Sequence, residues 1–89
     1  MATGKIYDEE VFDNISIRTF SINIDDHESL WHRDLEDREI EVIYDNGWLF
    51  QFDNELPISI NDVKFIPKNK WHRIIKVNGE LKIKVTKIF

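Results

Sequence analysis

His32, Asp34 and His72 are the residues of this chain whose types and spacing could hold a divalent metal ion. Two imidazole nitrogens and one carboxylate oxygen meeting in a cavity make such a site. His32 and Asp34 are two apart, so in an extended segment both side chains leave the same face. His72 lies far along the chain, at the end of Asn61-Asp62-Val63-Lys64-Phe65-Ile66-Pro67-Lys68-Asn69-Lys70-Trp71-His72. That stretch reads as a strand, a proline-set turn and a second strand, which would carry the third ligand into a small barrel.

Arg38 is four residues past Asp34, again an even spacing, and with Ile40 and Val42 it would share the face of His32 and Asp34. A guanidinium inside a polar cavity can grip a carboxylate or phosphate bidentately. The simpler reading is an Asp34–Arg38 ion pair that closes the site. Arg33 and Arg73, each one residue past a histidine, should point outward. His27, set among Asp25, Asp26 and Glu28, reads as a surface loop residue. Trp31, Trp48 and Trp71 read as barrel wall or dimer interface; Tyr44 reads as core and Gln51 as outward-facing.

The elements that must position these groups are almost all strands. In residues 80–88 Leu81, Ile83 and Val85 alternate with Lys82, Lys84 and Thr86. Similar alternation runs through 40–44 (Ile40, Val42, Tyr44), 48–52 (Trp48, Phe50, Phe52) and 56–60 (Leu56, Ile58, Ile60). Residues 15–24 begin with Ile15 and Ile17 but continue with Phe20, Ile22 and Ile24. This change of parity near Arg18 and Thr19 predicts a bulge or a strand that passes between sheets. Asn78-Gly79 is a strong hairpin signal. Asn46-Gly47, Asn61-Asp62 and Pro67-Lys68-Asn69 mark further turns. Residues 26–39 offer at most a short helical turn. The fold expected is all-β, a barrel or sandwich.

Composition sets the remaining bounds. The 89 residues make one small domain, 1–89, with a thin core. Three Trp, six Phe and two Tyr supply bulky filling, and the absence of cysteine excludes disulfides and thiolate ligands. Such a core, unstapled, predicts a homodimer. The net charge of −5 argues against nucleic acid. No apolar run is long enough for a membrane span and the N-terminus lacks a signal-like apolar core, so a cytoplasmic protein is expected. Charge is unevenly divided: residues 1–62 carry 4 basic and 16 acidic side chains, residues 63–89 carry 8 and 1. C-terminal strands lying between earlier ones, with cross-strand ion pairs, would account for it. Nucleophile elbows and glycine-rich phosphate loops are absent.

On these residues the chain resembles the cupin family, small double-stranded β-helix barrels with two motifs. The first runs Gly, five residues, His-x-His, three or four residues, Glu, six residues, Gly. It falls here on Asp26, His32, Asp34, Arg38 and Asp45. The second runs Gly, five residues, Pro-x-Gly, two residues, His, three residues, Asn, and falls on Asn61, Pro67, Asn69, His72 and Lys76. All four glycines have become Asp or Asn, the non-glycine residues that best tolerate a left-handed backbone. The resemblance implies a jelly-roll barrel with His32, Asp34 and His72 as metal ligands. Arg38, standing at the family's Glu, cannot ligate. The remaining set is a two-His, one-carboxylate triad suited to Fe(II), with Mn, Ni or Zn as substitutes. It is also similar to the ligand pattern of iron/2-oxoglutarate oxygenases. The function implied is binding of one metal and a small anionic metabolite held by Arg38. An enzyme built this way would be a dioxygenase, isomerase or lyase. The alternative is a metal-free, non-catalytic binding or dimerisation module.

Overall fold

The alternation in residues 81–88 is the pattern that organises the molecule. In the computed structural model, which describes residues 7–21 and 31–89, Leu81, Ile83 and Val85 are all buried. They sit on β8 (Leu81–Ile88), in the middle of a five-stranded antiparallel sheet. Its other strands are β1 (Asp8–Phe12), β2 (Ile15–Phe20), β3 (Asp37–Tyr44) and β6 (Phe65–Ile66), in the order β1-β2-β8-β3-β6. A second sheet, ordered β5-β4-β7, holds β4 (Leu49–Phe52), β5 (Ile58–Ser59) and β7 (His72–Ile75). An isolated antiparallel bridge joins His32 to His72. The core between the sheets takes Phe20 and Ile40 from the first, Phe50 from the second, and Trp48.

The pairing is nested. β2 pairs with β8, the His32 bridge joins β7, β3 pairs with β6 and β4 with β5, all antiparallel. The first half of the chain thus meets the second half in reverse order. β8 lies between the earlier strands β2 and β3, as the charge division predicts, and faces acidic residues on β3, where Lys84 Nζ stands 3.8 Å from Glu41 Oε1.

Several expectations need correction. Asn78-Gly79 does make a turn, with Gly79 at φ +59°, but β7 and β8 lie in different sheets, so no hairpin forms there. It is a corner, and it packs on the Asn46-Gly47 corner between β3 and β4. Asn46 Nδ2 donates to Glu80 O at 2.8 Å, and Trp48 Nε1 donates to Asn78 O at 2.7 Å. Burial of the indole and the need to satisfy its N–H tie the two corners together.

Of the two readings of the parity change near Arg18 and Thr19, the bulge is absent, and a passage between sheets would fall on residues 22–24, outside the described residues. β2 runs in unbroken register against β8 from Ile15↔Thr86 to Phe20↔Leu81. The inner positions are Ser16, Arg18 and Phe20, so it is Ile15 and Ile17 that face outward, half-buried. Ile22 and Ile24, like Asp26 and His27, lie outside the described residues. The strand expected over 56–60 shrinks to β5: Leu56 is exposed, and Ile60–Asp62 form a 3-10 turn capped by Ser59. Tyr44 is exposed because the register shifts between Val42 and Tyr44. Residues 31–36 contain no helical turn; a bend at Leu35 and Glu36 precedes β3. Of the Asp and Asn residues at the motif glycines, Asn69 is left-handed at φ +63°. Asp45 and Asn61 act otherwise: Asp45 Oδ1 accepts from Gly47 N and Trp48 N, and Asn61 Nδ2 donates to Asp45 Oδ2 at 2.6 Å.

Candidate metal centre

The His32–His72 bridge is a hydrogen-bonded antiparallel pair. His32 N donates to His72 O at 3.0 Å and His72 N to His32 O at 2.9 Å. Residues directly opposite one another project to the same face, and the two imidazoles meet with centroids 4.3 Å apart. The flanking residues project to the other face, where Arg73 lies over Trp31 at 4.9 Å and Arg33 over Trp71 at 5.1 Å. The arginines therefore point outward as expected, and two cation–π contacts brace a bridge of only two backbone bonds.

The turn after β6 holds Asp34 and His72 in place. Lys70 N donates to Pro67 O at 3.3 Å, and Asn69 N, turned by its left-handed backbone, donates to Asp34 O at 2.7 Å. Lys68 N donates to Asp37 Oδ1 at 2.8 Å. The same turn presents Lys70 O to His72 Nδ1 at 2.8 Å. A carbonyl can only accept, so Nδ1 carries a proton and the lone pair of the neutral ring lies at Nε2.

That lone pair faces Asp34. The nearest nitrogen-to-oxygen approach is His72 Nε2 to Asp34 Oδ2 at 3.4 Å, and Oδ2 is buried without a hydrogen-bond partner. Two acceptors aimed at each other in a buried site require a cation between them, either a proton on Nε2 or a metal ion. One donor atom from each of His32, Asp34 and His72 lies within 4.8 Å of the others. The donor set, its spacing and the orphaned oxygen fit a small divalent ion. His72 is enclosed and stacks on Phe50 at 5.5 Å, whereas His32 is exposed and forms the rim. Burial pushes the Asp34 carboxyl up; with a proton on His72 Nε2, the hydrogen bond from that ring and the positive charges of Arg38, His72 and His32 outweigh burial and hold the group below its ordinary value of 3.8.

Arg38 stands where the even spacing predicts, despite the bend before β3. Its Nη2 is 3.3 Å from Asp34 Oδ1 and its Nε donates to Glu36 Oε2 at 2.7 Å. A further polar side chain, Arg18, lines the same cavity. Alternation counted from Ile15 and Ile17 places Arg18 on the outer face, which hides it in the sequence pattern. The usable signal was Phe20: counting back in twos from a residue that must be core reaches Arg18 and Ser16. Tyr44 and Gln51 are not among the lining residues; Gln51 faces outward, where its Oε1 accepts from Arg73 Nε at 2.9 Å.

No protein-family model matches the chain, and no curated protein matches it. Among solved structures it is similar to protein NMB1881 from Neisseria meningitidis, with a TM-score of 0.58 at 11% identity, over 93% of this chain and 82% of that one. At that identity the likeness extends to the fold alone. Among the described residues no helix is long and apolar enough to cross a membrane.

Proposed function

We propose that this chain is a cupin-like barrel, a double-stranded β-helix of jelly-roll type, that binds one divalent metal ion through His32, Asp34 and His72. The nested antiparallel pairing supports the barrel, since a long hairpin rolled upon itself pairs its halves in that order. The observation that carries the metal reading is the buried, unpartnered Asp34 Oδ2 facing His72 Nε2 at 3.4 Å. With Nδ1 committed to Lys70 O, His72 can offer only Nε2, the arrangement by which an outer hydrogen bond orients a metal-binding imidazole.

Fe(II) is the ion that a two-histidine, one-carboxylate set with open positions suits, and Mn, Ni or Zn can use the same donors. When bound, the metal would supply a redox centre or a Lewis acid, which accommodates dioxygenase as well as isomerase or lyase chemistry. The substrate is a small anionic metabolite, with Arg38 as its anchor. A homodimer belongs to the same reading, because Val11, Phe12 and Phe89 are exposed apolar side chains on a small protein.

A second reading is favoured by one contact, Arg38 Nη2 to Asp34 Oδ1 at 3.3 Å. Here the cation facing Asp34 is a proton on His72, the ion pair closes the pocket, and the barrel is a metal-free binding or dimerisation module. Elemental analysis of untagged protein separates the two. Close to one equivalent of Fe, Mn, Ni or Zn, lost in His72→Ala, is expected. A folded protein that takes up none of the four would leave the metal-free module standing.

A further inference from the structure

Arg18 is an arginine in a place where the fold calls for an apolar side chain. On β2 it is directly opposite Ile83, which is buried, and it lies between Ser16 and Phe20 on the inner face. Its side chain is only 14% exposed. Among the described residues, three groups hold it in place. Nε donates to Glu9 Oε2 and to Ser16 Oγ, both at 3.2 Å, and the Tyr7 ring lies 4.7 Å from the guanidinium carbon. Arg38 is gripped in the same way, at Nε by Glu36, with its side chain 13% exposed. Burying two guanidinium groups is costly and contributes little to folding that an apolar residue would not. Such groups, oriented and partly desolvated, are suited to holding a carboxylate.

Both arginines open onto a cavity of about 40 Å³ shared with His32, Asp34 and His72; the rest of its lining is apolar. Charge selects the occupant. Arg18 and Arg38 contribute +2, while Asp34, Glu9 and Glu36 contribute −3, leaving −1. A divalent ion turns that to +1, which a single negative charge neutralises. Size is equally restrictive, since the space corresponds to roughly three water-sized positions. We infer that Arg18 and Arg38 seat a small monocarboxylate, about the size of acetate, beside the metal position. This rests on the metal reading, because without the ion the net charge would repel an anion.

The test uses the whole chain loaded with Co(II), whose visible spectrum reports on its ligands. Co(II) stoichiometry is measured first, by equilibrium dialysis. Sodium acetate is then titrated, with sodium succinate and sodium phosphate in parallel, followed by absorption and calorimetry. Acetate is expected to perturb the spectrum and bind more tightly than either control. Arg18→Gln should weaken acetate at least tenfold, about the loss of one charged hydrogen bond, while still taking up one equivalent of Co(II). Arg18→Lys, which keeps the charge but not the fork, serves if the Gln variant does not fold, and should also weaken acetate. Acetate binding that is absent, or equal in parent and variant, overturns the inference and leaves the metal reading intact. Tighter binding of succinate or phosphate overturns the monocarboxylate assignment. Failure to take up Co(II) appears before any anion is added, and sinks the metal reading and this inference together.

Discussion

Asp34→Asn is the substitution that best separates a metal centre from a closed ion pair. It keeps the shape of the side chain and removes its charge. In the metal-free protein the loss is tempered, because Arg38 keeps Glu36 at 2.7 Å. Removing one partner of a buried pair costs about 3–5 kcal/mol when the other is left uncompensated; with Glu36 in place about 1–2 kcal/mol is expected. The metal-linked effect adds to that loss and is read separately. An ion present at about 100 times its Kd stabilises the parent by about 2.7 kcal/mol, which for a domain of this size raises Tm by roughly 10–20 °C. If the missing carboxylate weakens binding about 100-fold, the same ion stabilises the variant by only about 0.4 kcal/mol, or roughly 2–3 °C. Differential scanning calorimetry with and without Zn(II), on both proteins, reads the two numbers. Equal metal-induced shifts in parent and variant, or none in the parent, would refute the assignment of Asp34 as a ligand. The pH dependence supplies an internal check. The folded-state carboxyl is held below 3.8, so its contribution is complete above that value and is lost as pH falls through the lowered one. Without metal, the stability gap between parent and Asp34→Asn should therefore be present at about pH 5 and close in stronger acid.

Two further outcomes follow from the way the site is supported. Gly79→Ala should lower stability by about 1–3 kcal/mol in urea unfolding, because a Cβ at φ +59° would lie 2.6 Å from Asn46 Cγ and displace the bond from Asn46 to Glu80 O; a change under about 0.5 kcal/mol would show that the corner yields freely. Trp31→Ala with Trp71→Ala should weaken Zn(II) by about tenfold while leaving the far-UV circular dichroism unchanged, since each cation–π contact contributes about 0.5–1 kcal/mol to holding His32 against β7; unchanged affinity would show that the two backbone bonds suffice.

Much of this fold was legible because burial imposes period two on strands. Leu81, Ile83 and Val85 read correctly because β8 has its inner face on the core and charged residues on the other. Residues 15–20 read wrongly for the same reason inverted. Ile15 and Ile17 look like an inner face, yet the inner face holds Ser16 and Arg18, which a core would not choose and a site does. The hairpin assigned to Asn78-Gly79 failed because local turn chemistry fixes a reversal but cannot say whether the next strand returns to the same sheet. His32, Asp34 and His72 came together as the spacing predicts. Arg38 did so despite a bend, because residues 37–40 resume an extended path with the same parity. Nothing local marked Asn69 N as the donor to Asp34 O, since that bond joins residues distant in sequence.

The presence of Arg38 where the resembled motif has a carboxylate alters the electrostatics of the site more than its geometry. Exchanging an anionic ligand for a cation raises the local charge by two and removes a donor. Glu36, at the bend before β3, returns one of those charges without facing the ion, because its oxygen is held to Arg38 Nε at 2.7 Å. A metal held by His32, Asp34 and His72 would have three protein donors instead of four, with the Arg38 guanidinium close to one of them. A site with fewer ligands and a neighbouring cation binds its ion less tightly on its own and more tightly with an anion present. The physical expectation is therefore coupled binding, in which metal and small carboxylate each raise the affinity for the other by the same factor. A titration of Zn(II) at several fixed acetate concentrations would show the apparent metal Kd falling as acetate rises. A metal Kd indifferent to acetate would mean that Arg38 is spent on Asp34 and Glu36 and has nothing left for a ligand.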